Sequence, residues 1–136
     1  MPKSREEFFS TVDILSIHIF ANEQTRGIVK ASDLAMMKPT SLLVNTSRAR
    51  LIEEGALVEA LKKGRPGRAA VDVYEDEPIV GGNHPLLKLP NALCTPHLGY
   101  DVKGAFESFY SVAIDSILAY AEGKPINVLN PEALKK

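Results

Sequence analysis

Three side chains suited to acid–base and carboxylate chemistry each follow a short apolar run in this chain: Arg48, Glu77 and His97. The runs span residues 42–44, 69–71 and 92–94, and Asp72 directly follows the second. Strands that are buried on both faces of a parallel sheet read as continuous apolar runs, and ligands bind at their carboxyl ends. The order of these segments therefore predicts that the polar side chains meet in one crevice at the edge of a parallel sheet.

The chemistry that these side chains offer is the binding of a carboxylate and the transfer of a proton. A planar guanidinium such as that of Arg48 binds a carboxylate through two hydrogen bonds and polarises a nearby carbonyl. An imidazole titrates near neutral pH, so His97 can give a proton to an alkoxide and accept it in the reverse reaction. Without further context, an arginine more often forms a surface ion pair than a binding site, and a histidine more often has a structural role than a catalytic one.

Predicted strands and helices alternate along the chain. Apolar and β-branched runs predict strands over 12–20, 41–45, 67–73 and 92–95, and helical patterns cover 4–11, 32–37, 52–63 and 102–122. Ser4 and Ser32 are the predicted N-terminal caps of the first two helices, and Gly64 and Gly123 end the last two. The alternation predicts parallel βαβ units with helices on both faces of the sheet.

The last predicted helix, over 102–122, is apolar nearly all the way round. Such a helix is typically buried, and this short chain has little sheet to cover both of its sides. We therefore expect a partner surface to cover this helix.

Three motifs, taken together and in order, resemble a known family. NTSR at 45–48, DVYEDEP at 72–78 and TPHLG at 95–99 resemble the C-terminal half of the D-isomer-specific 2-hydroxyacid dehydrogenases. The resemblance runs from about residue 13 to residue 131 and implies an α/β fold with a partial doubly wound, Rossmann-like parallel sheet. Residues 1–99 would form the C-terminal half of a dinucleotide-binding domain. Residues 100–136 would form a long crossover helix and the C-terminal tail of a substrate domain.

The resemblance also implies a role for each candidate residue. Arg48, Glu77 and His97 would be catalytic, with Glu77 holding the imidazole, and Asp72 would hold the carboxamide of the nicotinamide. The cofactor would further contact Ile19, Thr46, Ser47, Arg48, His97, Leu98 and Gly99.

One position departs from the family pattern. The family usually has glycine after the arginine, whereas Ala49 and then Arg50 follow Arg48 here. A turn that needs a positive φ would tolerate alanine poorly, so we expect the local backbone to differ, with Arg50 as a competing cation.

The family's pyrophosphate-binding turn, G-x-G-x-x-G, does not occur in this sequence. The resemblance therefore implies a truncated chain that uses NAD or NADP with a small 2-keto or 2-hydroxy acid, and that binds the cofactor weakly by itself. The first strand would become an exposed edge, which invites pairing with another chain. We expect either a homo-oligomer or association with a missing N-terminal half.

Length, charge and cysteine content exclude several classes of function. The 136 residues favour one domain, and the net charge of −1 predicts binding to neither nucleic acid nor an anionic membrane. No apolar run reaches the roughly 20 residues that a membrane span needs. A single cysteine fits a reducing cytoplasm. The histidines and the cysteine show no metal-ligand spacing, so we expect no metal site.

Two other functions remain open at this point. The chain could be a catalytically inactive, self-associating α/β module that has kept the residues of an enzyme. A weaker alternative is a regulatory domain that binds anions through Arg48 and Arg50. The particular 2-hydroxy acid and the choice between NAD and NADP are not encoded in the motifs.

Overall fold

Four parallel strands form one sheet in the computed structural model, which describes residues 2–134. The strands are β1 (Ile14–Ile17), β2 (Leu42–Asn45), β3 (Arg68–Val71) and β4 (Ala92–Cys94). They lie side by side in the order β1-β2-β3-β4, and every neighbouring pair is parallel. The predicted α/β fold with a partial, Rossmann-like parallel sheet is confirmed.

The chain divides into two compact units after Gly99. The first unit holds the sheet and the helices α1 (Arg5–Thr11), α2 (Ala31–Met36) and α3 (Ala56–Lys62). The second holds α4 (Lys103–Ala121). Short 3₁₀ turns lie at Ala49–Leu51, Val80–Gly82, Pro85–Lys88 and Pro131–Leu134.

The helix starts show where local chemistry overrides the sequence pattern. Ser4 caps α1 as predicted, because its hydroxyl accepts the Glu7 N–H at 3.0 Å. The predicted cap at Ser32 is wrong, since α2 begins one residue earlier, after Lys30. The carboxylate of Asp33 folds back to accept the Lys30 N–H at 2.7 Å and so performs the capping.

Helix α3 starts four residues later than predicted. Ile52 forms a parallel bridge with Val29, and Gly55 turns the chain with a φ of 72° before the helix begins. The predicted apolar face, with Leu57, Ala60 and Leu61, is buried.

The core lies between the sheet and the helices of the first unit. Its most deeply buried apolar side chains are Leu34, Met37, Leu43 and Leu51.

Arg5 of α1 reaches across to the buried carboxylate of Asp33 in α2. The hydrogen bond from Arg5 holds the pKa of Asp33 below its ordinary value, so the pair stays ionised and ties the two helices together.

In the second unit, α4 is 19 residues long and ends before Gly123, whose φ is 74°. No residue of α4 is buried within this chain, and the expectation that a partner surface covers this helix stays a prediction. The last two residues of the predicted tail, 135 and 136, lie outside the described residues. Within 2–134, no helix has the length and apolar character needed to cross a membrane.

Candidate active site

The segments that follow the four strands meet at one edge of the sheet because all four strands are parallel. They carry Ile19 after β1, residues 46–48 after β2, residues 72–77 after β3 and residues 95–99 after β4. Every predicted site residue therefore lies in one of four neighbouring loops of the first unit.

Glu77 and His97 form a carboxylate–imidazole pair at this edge. His97 Nδ1 donates to Glu77 Oε2 at 2.6 Å, and the Tyr74 N–H donates to Glu77 Oε1 at 2.7 Å. Burial raises the pKa of Glu77, but these two hydrogen bonds and the charges of His97 and Arg48 outweigh it and lower the pKa below its ordinary value. Glu77 is therefore an anion that orients the imidazole through this hydrogen bond.

The backbone at His97 is unusual, with a φ of 57°. A residue other than glycine rarely adopts this left-handed conformation, and it persists where the surroundings hold it. The surroundings here include Asp72, which accepts the N–H groups of Leu98 at 2.8 Å and Gly99 at 2.7 Å and the hydroxyl of Thr95.

Asp72 is 4% exposed, and its side chain faces the turn that carries His97. Burial raises the pKa of Asp72, but the hydrogen bonds from Thr95, Leu98 and Gly99 and the charge of His97 bring it below the ordinary value. The carboxylate is thus ionised at neutral pH and engaged by the protein itself.

Arg48 lies at the same edge and is exposed. Its guanidinium donates to the Ser47 carbonyl at 2.7 Å, and its charge helps to lower the pKa of Glu77. The turn before it is fixed by Asn45, whose side chain donates to the Arg48 carbonyl at 3.0 Å and accepts the Ser47 N–H at 3.1 Å.

The backbone at Ala49 does not adopt a positive φ. Ala49 opens a 3₁₀ turn, and the residues other than glycine with positive φ in the described chain are His97 and Asn127. The site therefore needs no glycine after Arg48. Arg50 points elsewhere, since its guanidinium donates to the Ala21 carbonyl at 2.8 Å.

The remaining predicted cofactor residues line the surface of the same edge. Ile19 and Leu98 are exposed apolar side chains, and Thr46 is exposed. The Ser47 hydroxyl donates to the Ile19 carbonyl at 3.2 Å and links the loops that follow β1 and β2. Apolar and hydroxyl groups thus lie at the same edge as the His97–Glu77 pair.

A model of the NAD binding domain of the D-isomer specific 2-hydroxyacid dehydrogenases matches residues 1–99. The chain belongs to this family. Glyoxylate reductase of Aeropyrum pernix is 38% identical over 134 residues, which cover 98% of this chain and 40% of the relative. Hydroxypyruvate reductase of Blautia hydrogenotrophica is 35% identical over 125 residues, which cover 92% of this chain and 38% of the relative.

Solved structures agree with this assignment to the dehydrogenases. A phosphoglycerate oxidoreductase from Vibrio cholerae superposes with a TM-score of 0.83 at 48% identity, over 89% of this chain and 38% of that chain. The chain thus spans about two fifths of the length of the relatives it matches. The predicted family is confirmed, and the family's cofactor is NAD(P).

Two residues of this candidate site were not identified from the sequence, Asn45 and Tyr74. Asn45 is 1% exposed and holds the Arg48 turn, while Tyr74 supports Glu77 and also donates its hydroxyl to the Thr95 carbonyl at 3.0 Å. Burial raises the pKa of Tyr74, so its hydroxyl keeps the proton that it donates. The sequence offered one signal for each residue. Asn45 is a polar residue that ends an apolar strand, and Tyr74 lies inside the DVYEDEP motif.

A cavity of about 570 Å³ in the first unit borders this site, because Asn45 belongs to its lining. Its lining includes Glu53, Val73 and His84 but none of Arg48, Glu77 and His97. In this lining, His84 pairs with Glu75 at 2.9 Å and accepts the Leu86 N–H. These two contacts give His84 a structural role. Among the described residues, no group of three or more His, Cys, Asp and Glu side chains could hold a metal ion.

Proposed function

We propose that this chain carries the nicotinamide side and the proton-transfer residues of a dehydrogenase that interconverts a 2-keto acid and a D-2-hydroxy acid. The observation that carries the proposal is the 2.6 Å contact between His97 and Glu77 at the carboxyl edge of the sheet, with Arg48 on the neighbouring loop. The substrate class follows from the family and from the match of a guanidinium to a carboxylate.

Each residue has a distinct task in this reaction. Arg48 binds the substrate carboxylate and polarises the carbonyl that is reduced. Because Nδ1 of His97 is held by Glu77, Nε2 delivers the proton to the carbonyl oxygen and removes it in the reverse direction. Glu77 fixes the orientation of the imidazole through its hydrogen bond to Nδ1. Bound NAD(P)H supplies the hydride.

The cofactor would be held at the same edge. Ile19 and Leu98 offer apolar contact to the nicotinamide ring, and Thr46, Ser47 and Gly99 offer hydroxyl and backbone groups. Asp72 remains a candidate for the carboxamide in addition to its contacts with the 95–99 turn. Residues 1–99 would be the C-terminal half of the dinucleotide-binding domain, and residues 100–136 the crossover helix with the tail of the substrate domain.

Binding of NAD(P)H to this chain alone should be weak. The sequence has no Gly-rich turn to accept the pyrophosphate at a helix N-terminus. A partner that supplies such a turn, or a longer polypeptide that includes it, would complete the cofactor site.

The test is NADH oxidation by the purified 136-residue chain with glyoxylate, hydroxypyruvate and pyruvate. We expect slow turnover that rises with NADH up to millimolar concentrations without saturating, and a loss of about 100-fold or more in His97→Asn. The matched control is His84→Asn, which alters the other Glu–His pair of the same unit and should leave the rate unchanged.

The outcomes separate the proposal from its main alternative. No turnover by the unmodified chain at millimolar NADH would contradict the proposal and favour the inactive, self-associating module. Turnover that survives His97→Asn would remove His97 from the mechanism. Saturation at micromolar NADH would show that the expected weak binding is wrong.

The alternative module has an observation of its own in support. The edge strand β1 has no second neighbour in the described sheet, and α4 has no buried residue in this chain. Both features suit association with another polypeptide.

A further inference from the structure

We propose that Asp72 is a positioning residue, which acts on the reaction through His97 by holding the 95–99 turn in the one conformation that delivers the imidazole to Glu77. The inference rests on the proposed role of His97 in proton transfer. It assigns to Asp72 a task that is complete within this chain and that needs neither cofactor nor substrate.

The first step of the argument is the number and placement of the donors. The Asp72 carboxylate accepts one donor from before His97, the Thr95 hydroxyl, and two from after it, the N–H groups of Leu98 and Gly99. Hydrogen bonds to an ionised carboxylate are about twice as strong as those between neutral groups. The carboxylate therefore clamps the turn on both sides of the residue that carries the proton.

The second step is the backbone of His97 itself. Its φ of 57° is costly for a residue with a side chain and needs contacts that outweigh the strain. Successive N–H groups that follow a left-handed residue form a concave site for an anion. In this chain the anion is a side chain of the neighbouring strand end, so the protein fills its own anion site.

The third step is the closeness of Gly99 to the carboxylate. A Cβ atom at Gly99 would lie 3.0 Å from Asp72 Oδ2, which is tighter than ordinary contact. The turn and the carboxylate are therefore fitted to each other, and a larger residue at this position would push them apart.

The fourth step is that residues just after β3 hold both His97 and Glu77 in place. Asp72 directly follows β3 and holds the His97 turn, and Tyr74, two residues later, donates its N–H to Glu77. The Thr95 N–H also donates to the Val71 carbonyl at 3.0 Å, which continues the β3–β4 pairing up to this turn. The end of β3 thus sets the position of both the base and its carboxylate.

The experiment is NMR spectroscopy of the full chain with Asp72→Asn. The asparagine side chain has the size of aspartate but no charge, and its amide nitrogen cannot accept a backbone N–H. We expect the amide protons of Leu98 and Gly99 to exchange at least about tenfold faster, and the His97 Nδ1 proton signal, shifted downfield by Glu77, to be lost. The control Asp76→Asn removes an exposed carboxylate from the same segment and should change neither signal.

A second variant keeps the test decisive if Asp72→Asn does not fold. Gly99→Ala leaves the charge in place but brings a Cβ atom to 3.0 Å from Asp72 Oδ2, so the carboxylate must shift by a few tenths of an ångström. We expect the same two signals to weaken. If the Leu98 and Gly99 amides and the His97 Nδ1 signal are unchanged in the folded variants, the proposal is overturned. Because these signals need no turnover, a chain that fails to oxidise NADH would refute the proposed function without deciding the role of Asp72.

Discussion

At the residue scale, the lowered pKa values of Asp72 and Glu77 make the site a source of stability that acid removes. In the unfolded chain such carboxyl groups titrate near pH 4. Because their pKa values are lower in the fold, their contribution is fully present above the unfolded pKa and disappears as the pH falls through the folded one.

We therefore expect the free energy of unfolding to decrease between about pH 5 and pH 2, and to decrease less steeply in Asp72→Asn. Urea denaturation at a series of pH values measures both slopes. Asp33 also has a lowered pKa and contributes to the slope in both proteins, so only the difference between them reports on Asp72. An identical slope in wild type and Asp72→Asn would contradict the ionised state assigned to this carboxylate.

Residue types could be predicted from the sequence where the side chain itself performs the chemistry. Arg48, Glu77 and His97 were identified through their order after apolar runs together with the family resemblance, which implied the pairing of Glu77 with His97. The structure brings these two side chains within 2.6 Å. Asn45 and Tyr74 were missed because they act on backbone N–H and carbonyl groups, whose positions no sequence pattern records. Ala49 closes its turn with ordinary backbone angles, and the expectation that this turn differs from the family's stays a prediction.

At the element scale, Gly67 is where the chain entering β3 passes closest to the turn between α2 and β2. A Cβ atom at Gly67 would overlap the Pro39 carbonyl oxygen, which is backbone and cannot rotate away. Arg65 also holds this turn, because its guanidinium donates to the Met37 carbonyl at 3.1 Å. A side chain at Gly67 must therefore displace the whole turn.

We expect Gly67→Ala to lower the free energy of unfolding by about 2 to 4 kcal/mol. The matched control is Gly104→Ala in α4, where a Cβ atom meets nothing and alanine should stabilise the helix by about 0.5 to 1 kcal/mol. Chemical denaturation of both variants provides the comparison. A change below about 0.5 kcal/mol in Gly67→Ala would mean that the turn at Pro39 is free to move.

The elements themselves were largely predictable, whereas their ends were not. Alternating apolar runs and helical patterns identified every strand and all four helices, because burial imposes those periods. The start of α3 was misplaced because Ile52 pairs with Val29, a long-range bridge that no local pattern encodes. In α2, a carboxylate at the third position displaced the expected serine cap.

At the scale of the whole molecule, the edge strand β1 is the feature most open to another chain. The Asp13 carbonyl accepts the Leu42 N–H, so the backbone groups of Leu15 and Ile17 also face β2. Because successive residues of a strand face opposite ways, the N–H and carbonyl groups of Ile14 and Ser16 point away from the sheet. An apolar groove of about 390 Å³ runs beside them.

We expect the chain to self-associate at tens of micromolar through β1 or through α4, because an unpaired edge and an apolar helix are both stabilised when another surface covers them.

Two matched variants tell the interfaces apart. Ile14 of β1 is 66% exposed and Ile117 of α4 is 67% exposed, so replacing either with lysine leaves the core intact and places a charge on one surface only. If β1 is the interface, Ile14→Lys shifts the sedimentation profile to monomer and Ile117→Lys does not, since a charge on an edge strand opposes strand pairing. The reverse result assigns the interface to α4, and a wild-type chain that sediments as a monomer at these concentrations would contradict self-association through either surface.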